Sequence, residues 1–579
     1  MPERTAAEIA DLLEEIGRRA TFEAGNPYKA KAYVRAAASL RRLVRPLEEL
    51  MAEGALQSIP GVGTAIARRI ETLQRGGTDE SLERMRQKLP AELLPLLSIP
   101  GLRPAAILKL HDLLGVSSME NLANACRQGQ VAGTKGLGAA LERKILQGLT
   151  IVSEGAGRLR MNQAQAVLDH TIAELARLRP KLRKITIAGD LRRSCELVSD
   201  LRLVAVDPQA ALPIVEKFGP VMLHTCSAAQ FGAMLVRATG NDRHVAQLES
   251  IAQTKGFTLS ADGLHKGERK VSTPSEVDVY GPLGLPVIEP ELREGLDEIA
   301  RARKKRAPRL VTLKDLRGVL HLHTDFSDGV NTLEEMADAA RQRGYAYLGV
   351  ADHSQSAHYA GGLSLEQIDA QHALADVLNR RYRRGFRVLT GIESDILADG
   401  SLDYPPEVRA RFDFVVASVH GRFRLGREEQ TQRIITAVAN PSTTILGHLT
   451  GRQLLRRPGY DVDIEAILKA CARHGVAVEI NSNPWRLELD WRWHRMALQL
   501  GCMLSINPDA HSTDELDLVQ WGVAIARKGG VPKQKVLNAL NLEDMLAYLA
   551  QRKMLANQPD RKLTRRAGGP RTHKRHCGR

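Results

Sequence analysis

Arg317–His323 reads RGVLHLH, an apolar run closed by two histidines one residue apart. Six similar runs follow: YAYLGVADH (345–353), FRVLTGIES (386–394), FDFVVASVH (412–420), STTILGHL (442–449), VAVEINS (476–482) and MLSINPDAH (503–511). Helical stretches separate them. Alternating strand and helix on this scale predicts a parallel (βα) barrel. Seven runs make it one strand short of the usual eight, hence a distorted barrel.

The polar residues fall at one place in each repeat. The first run ends in His321 and His323, with Asp328 in the loop behind. Others end in His353, Glu393, His420 and His448, and the last ends in Asp509 and His511. The sixth ends in Asn481 and offers no obvious ligand. Side chains alternate along a strand, so His-x-His puts both imidazoles on one face, and Asp-x-His does the same. In such barrels chemistry collects at the C-terminal strand ends. One strand-end histidine is more often a capped or core residue; nine His/Asp/Glu groups on six strands are a metal site. With no sulfur among them, the donors suit Mn²⁺, Zn²⁺ or Fe²⁺.

Upstream, three segments share a design: SIPGVGTAIARRI (58–70), SIPGLRPAAILKL (98–110) and AGTKGLGAALERKI (132–145). Each sets a glycine turn before an amphipathic helix. Gly61/Gly63 and Gly136/Gly138 form G-x-G, whereas the middle copy has Arg103 at the second position. Amides at such a helix N-terminus can hold a phosphate without reading a base, so these four glycines are the expected DNA contacts. The segments resemble helix-hairpin-helix motifs of DNA repair proteins. The neighbouring basic helix, NPYKAKAYVRAAASL (26–40), carries Tyr28 and Tyr33, expected in its core.

Between the two regions lies GDLRRSCELVSDLRLVAV (189–206), and then YGPLGLPVIEPELREG (280–295). With the hairpins before them and the barrel after, these stretches resemble a bacterial-type family X DNA polymerase over residues 1–555. The barrel motifs HLHTDFSDG, ADHS, GIESDIL, SVHGRF, GHLTGR and PDAHS are similar to the PHP (polymerase and histidinol phosphatase) domain of that family. The family's GHP is GHL here, at Leu449.

The resemblance implies a multidomain α+β and α/β chain: helix-hairpin-helix region, nucleotidyltransferase-like palm and thumb, and seven-stranded barrel. The expected boundaries are 1–152, 153–300, a basic linker 301–316, the PHP domain 317–555, and a basic tail 556–579. In the family's polymerase site, Gly-Ser is followed by Asp-x-Asp and a third Asp on a neighbouring strand. Here Gly189 matches the glycine, Asp190 replaces the serine and Asp200 matches the first metal aspartate. Arg202 replaces the second, and the third position falls at Met222; Asn241 stands where serine is usual. Arg192 and Arg193 are expected to remain for phosphate, and Glu196 is a candidate substitute carboxylate. One carboxylate beside a guanidinium cannot hold two divalent ions next to a triphosphate, so template-directed synthesis is expected to be lost.

For the barrel, the resemblance implies three divalent ions, Mn²⁺ first among the candidates, acting on phosphate esters. The nine residues would be both ligands and catalytic groups. Asp352 and Asp395 are candidates for orienting imidazoles, and Arg452 for meeting a substrate phosphate. The expected activity is 3′–5′ exonuclease or 3′-end processing on gapped, nicked or 3′-ended DNA, independent of sequence. The alternatives are a gap-filling polymerase with a proofreading barrel, a small-molecule phosphomonoesterase, and a noncatalytic DNA scaffold.

The totals agree with this organisation. The chain has 579 residues, a net charge of +15, 43% hydrophobic residues and 26% charged ones. That length demands several cores, and the charge suggests a polyanionic partner. The last nineteen residues hold eight Lys/Arg and no acid. Six scattered cysteines without C-x-x-C argue for reduced thiols. No signal peptide or membrane span is legible, so a cytoplasmic location is expected; a monomer is expected as well.

Overall fold

The computed structural model describes residues 4–22, 27–41, 43, 46–59, 61–77, 79–304, 308–383 and 385–556. The tail beyond 556, residues 305–307 of the basic linker, and the Tyr28 side chain lie outside the described residues. The chain divides into two compact units. The first runs from the N-terminus to the linker and includes Arg452–Gly459 and Pro484–Arg486; the second is the rest of the C-terminal half.

The first unit begins with short amphipathic helices around two small cores. Ala6–Ala20 starts at a capping box in which Thr5 and Glu8 satisfy each other's backbone amides. Its apolar stripe, Ile9, Leu13 and Ile16, packs with Tyr33, Ile70 and Leu73. Tyr33 is buried there as expected, its hydroxyl accepting a hydrogen bond from Arg69. The second core gathers Leu93, Leu96, Ile107, Leu110, Leu122 and Ile145 around the second and third glycine turns.

A four-stranded sheet follows, with β1 Arg183–Ala188, β2 Leu201–Val206, β3 Ile214–Phe218 and β4 Val221–Cys226. Its order is β1-β2-β4-β3, and the central pair β2–β4 is parallel. A smaller antiparallel sheet, β5 Phe257–Ser260, β6 Gly263–Lys266 and β7 Arg269–Val271, joins helix Asp242–Thr254 around Leu248, Leu259, Leu264 and Tyr280.

The second unit is the expected seven-stranded barrel. Its strands are β8 Gly318–Val319, β9 Tyr347–Val350, β10 Arg387–Asp395, β11 Phe414–Ser418, β12 Ile445–Leu446, β13 Ala477–Asn481 and β14 Leu504–Asn507. All neighbours are parallel and in chain order. The ends nearly close: Leu322 bridges Ala510, the His323 amide donates to the Ala510 carbonyl at 2.8 Å, and the Asp509 amide to the His321 carbonyl at 3.1 Å. The Phe414 ring fills the interior where Gly391 leaves room; a Cβ on Gly391 would meet that ring at 2.3 Å. No helix among the described residues is long and apolar enough to cross a membrane.

Candidate metal centre and the altered palm site

Barrel closure brings the nine strand-end groups into one cluster. Glu393, at 1% exposure, lies at its middle. Its Oε1 is 3.3 Å from His321 Nε2, 3.3 Å from His420 Nε2 and 3.0 Å from His448 Nε2. Its Oε2 is 3.0 Å from His353 Nδ1 and 3.7 Å from His323 Nε2. Asp328 Oδ1 faces His323, His353 and His511 at 3.9, 3.6 and 3.4 Å. Asp509 Oδ1 faces His323 Nε2 at 3.2 Å and His321 Nε2 at 3.6 Å.

These atoms fall into three overlapping groups able to hold a cation: His323, Asp328, His353 and His511; His321, His323 and Glu393; His353, Glu393 and His420. Six buried atoms of the cluster make no hydrogen bond: His321 Nε2, His323 Nδ1, His353 Nδ1, His448 Nδ1 and both Glu393 oxygens. Leaving such groups unsatisfied costs about 1–3 kcal/mol each. Bound cations would satisfy those that face the cluster, so these residues fit divalent metal ions.

Electrostatics inside the cluster are consistent with ligand roles. Burial alone would raise the carboxyls of Glu393 and Asp509, yet the surrounding imidazoles hold both well below the usual carboxylate range. His323 is pushed down to about 3 by burial, which outweighs its bond to Asp509, and by His353 and His511. Both carboxylates thus stay ionised and His323 stays neutral, the forms that coordinate metal. At His420 and His511 the neighbouring carboxylates outweigh burial and push the imidazoles up to about 10 and about 9, protons that a bound cation would displace.

A second layer sets the imidazole tautomers. His321 Nδ1 donates to Glu479 Oε1 at 2.6 Å, and His420 Nδ1 donates to Asp395 Oδ1 at 2.5 Å, turning both Nε2 atoms toward Glu393. The His448 amide donates to Glu479 Oε2 at 2.7 Å. Asn481 donates to Asp509 Oδ2 at 2.9 Å. Asp509 is held at φ +53°, a left-handed conformation tolerated by aspartate and stabilised here by closure of the barrel.

In the palm, Arg202 and Met222 are partners in register on the parallel strands β2 and β4. Arg202 Nε lies 2.8 Å from Asp200 Oδ2, and the Asp190 amide donates to Asp200 Oδ1 at 2.9 Å. Gly189 (φ +64°) cannot be replaced cheaply, because a Cβ would meet Asp200 Oδ1 at 2.5 Å. Arg192 binds Glu276 with both terminal nitrogens at 2.8 Å, and the fully buried Arg293 binds the same carboxylate. Arg193 donates to Glu294, to the Thr239 carbonyl and to Asp190. Glu196 is buried, at 8% exposure.

The three glycine turns share one frame. Gly61, Gly101 and Gly136 have φ of +84°, +75° and +92°, and each turn closes with an i→i+3 bond: Val62 to Ile59, Leu102 to Ile99, Leu137 to Thr134. Gly63 and Arg103 occupy the same helix N-cap in extended conformation, with φ of −90° and −83°. Arginine therefore costs the middle turn no backbone strain. None of the three helices has a side-chain cap, so their first-turn amides point outward.

The third turn departs from the other two at Gly138. This residue is also the N-cap of its helix, but at φ +89°, a conformation that favours glycine. Its amide donates to the Val131 carbonyl at 3.2 Å, and its carbonyl accepts from the Leu141 and Glu142 amides at 3.1 and 3.2 Å. Of the four glycines expected as DNA contacts, Gly138 therefore has its own N–H turned inward. With that amide spent inside the chain, Gly138 shapes the turn, and the unbonded amides of the helix behind it are left for phosphate.

Comparison with known proteins agrees with this anatomy. Residues 4–79 match the helix-hairpin-helix domain, 93–150 the SAM-like helix-hairpin-helix tandem, 234–294 the DNA polymerase beta thumb, and 320–483 the PHP domain. A Bacillus subtilis protein named DNA polymerase/3′-5′ exonuclease PolX is 34% identical over 569 residues, spanning 94% of this chain and 99% of that one. This chain belongs to the bacterial family X DNA polymerases that carry a PHP domain. Its barrel half is also similar to two probable phosphatases. One, from Vibrio parahaemolyticus, is 28% identical over 228 residues, 38% of this chain and 87% of that one. The other, from Thermoanaerobacter sp., is 27% identical over 252 residues, 40% of this chain and 94% of that one.

Several further details of this family X chain bear on the reading of its sequence. Asp352 touches no imidazole. It is fully buried and accepts from the Thr324 amide at 2.7 Å, the Thr324 hydroxyl, Ser327 and Gln371, so it fixes the loop after His323. Arg452 spends its Nε on the Arg486 carbonyl at 2.9 Å. Arg192 and Arg193, expected to face phosphate, instead bind carboxylates of the chain itself. Asn241 caps helix Asp242–Thr254 through the His244 amide. Glu479 was not singled out in the sequence. The available signal was an acid within the apolar run VAVEINS, two residues before Asn481 and so on the same strand face.

Proposed function

We propose that this family X protein is a DNA-repair phosphodiesterase whose PHP barrel trims or processes 3′ ends, and that its palm no longer polymerises. The observation that supports this most is the contrasting fate of the acidic ligands. In the palm, both Asp200 oxygens are taken by Arg202 and the Asp190 amide, and Met222 stands beside Arg202. In the barrel, the Glu393 carboxylate has five imidazoles within 4 Å and no hydrogen bond of its own.

Held by the nine barrel residues, divalent ions, three in number and Mn²⁺ by preference, would polarise the phosphodiester and generate the nucleophile from water near neutral pH. The chain's own residues do the positioning. Glu479 and Asp395 keep Nδ1 protonated on His321 and His420, so that each Nε2 faces the cluster. Asp352 holds the loop that presents Asp328. The glycine turns grip the backbone of gapped, nicked or 3′-ended DNA at helix N-termini, without sequence preference. On this reading the protein acts as a cytoplasmic monomer.

The test is a 5′-labelled primer on a gapped template with Mn²⁺, with and without dNTPs. Shortening without extension is expected, and shortening should vanish in His321→Ala/His323→Ala. Extension by the wild type would overturn the loss of polymerisation. The likeness of the barrel to probable phosphatases favours a second reading, hydrolysis of small phosphomonoesters; phosphate release from such an ester faster than DNA cleavage would establish it.

A further inference from the structure

Among the Phe, Tyr and Trp side chains of the described residues, only Tyr359 and Trp485 are exposed, and Tyr359 is the more so at 68%. Single exposed apolar residues are ordinary. Tyr359 is set apart by its position: its ring centroid lies 6.0 Å from that of His353 and 6.2 Å from that of His420, edge-on to both. The ring thus borders two histidines of the candidate metal centre.

The turn that carries it is firmly tied to one of them. It leaves the barrel at His353 and returns as the Leu363 amide donates to the His353 carbonyl at 2.9 Å. Ser354 bridges Leu363, and a Cβ on Gly362 would meet the Ser354 carbonyl oxygen at 1.9 Å. The Ser356 amide donates to Asp403 Oδ2 at 2.7 Å, and the Gln355 amide to the Tyr404 hydroxyl at 3.0 Å. Within the turn His358–Ala360, the flanking Ala357 and Ala360 are buried while His358 and Tyr359 point outward. A ring displayed on so many fixed bonds is preorganised, which reduces the cost of using it to bind.

We propose that Tyr359 is the stacking platform for the nucleobase of the 3′-terminal nucleotide, and so a specificity-determining residue for DNA ends. The inference rests on the phosphodiesterase reading above. An aromatic face beside the reacting phosphate recognises any base by its π-surface, which matches sequence-independent processing. A small phosphomonoester without a base would gain nothing from it.

The experiment is a mutant cycle on the full-length protein with Mn²⁺, using oligonucleotides that end in a normal nucleotide, in a tetrahydrofuran abasic residue, or with that residue one position inward. For the wild type, kcat/KM on the normal end should exceed that on the abasic end by about tenfold, the scale of one base stacked on an aromatic ring. Y359A should abolish that preference, leave the abasic end unchanged and bind as much manganese as the wild type; Y359F should stay within about twofold of wild type. Equal losses on both ends, no effect on either, or dependence only on the inward base would each overturn the proposal. Failure of the underlying reading shows separately, as wild-type activity that survives His321→Ala/His323→Ala.

Discussion

Arg202 Nε sits 2.8 Å from Asp200 Oδ2, so the acid just before β2 is paired with a guanidinium two residues along the chain. A guanidinium at that place does two things at once. It leaves no carboxylate two residues after Asp200 and it sets a positive charge beside that acid. Arg202→Asp combined with Met222→Asp should free Asp200 and place three carboxylates on adjacent strands. We expect Mn²⁺-dependent extension of a gapped primer to appear in that double variant and to be absent from the wild type.

Glu479 is fully buried and holds both His321 and the backbone beside His448. Outer-shell partners of this kind typically contribute 10- to 100-fold to metal affinity. Glu479→Gln should weaken manganese binding by about that factor, read by titration calorimetry on the metal-free protein. 3′-end trimming should recover at high Mn²⁺. Unchanged affinity would assign Glu479 to packing alone.

Glu276 joins Arg192 to the fully buried Arg293. Burial alone would raise its pKa, but hydrogen bonds from the two arginines hold it at about 2, against an ordinary 4.5. A depressed carboxyl stabilises the folded state fully above about pH 4.5 and loses that contribution as pH falls toward 2, roughly 3 kcal/mol in all. Chemical denaturation of the wild type should show this loss across that window. Glu276→Gln should flatten it and destabilise at pH 7 by about 3–5 kcal/mol, because the buried Arg293 and the partly buried Arg192 lose their shared partner.

Gly136 has φ of +92° with nothing near its missing Cβ, so a side chain there meets backbone strain and no clash. Gly136→Val should cost about 1–3 kcal/mol in the turn and tilt its amides away from phosphate. Fluorescence anisotropy with unrelated duplexes should report an equal loss of affinity on every sequence. A sequence-dependent loss would mean that the turn contacts bases.

Much of the barrel was legible because its signals are local. Strand ends, side-chain alternation and the position of His, Asp and Glu within each run are set by a few neighbouring residues. The parallel chain-order sheet and the near-closure between Leu322 and Ala510 followed from that repetition. The glycine turns were legible for the same reason, since a positive φ at Gly61, Gly101 and Gly136 is a local demand. The pattern G-x-G could not show that Gly138, unlike Gly63, turns its amide back to Val131.

Partner choice was not local. Glu479 reaches His321 across 158 residues of sequence, and Arg192 reaches Glu276 across 84. Asp352 lies next to the candidate ligand His353 in sequence, yet its carboxylate serves the Thr324 loop instead. By itself the sequence determined the family X plan, the nine candidate ligands and the arginine two residues after Asp200. Tertiary structure decided which charges face one another, because a buried ion or amide takes whatever partner the sheet order and returning loops deliver within about 3 Å.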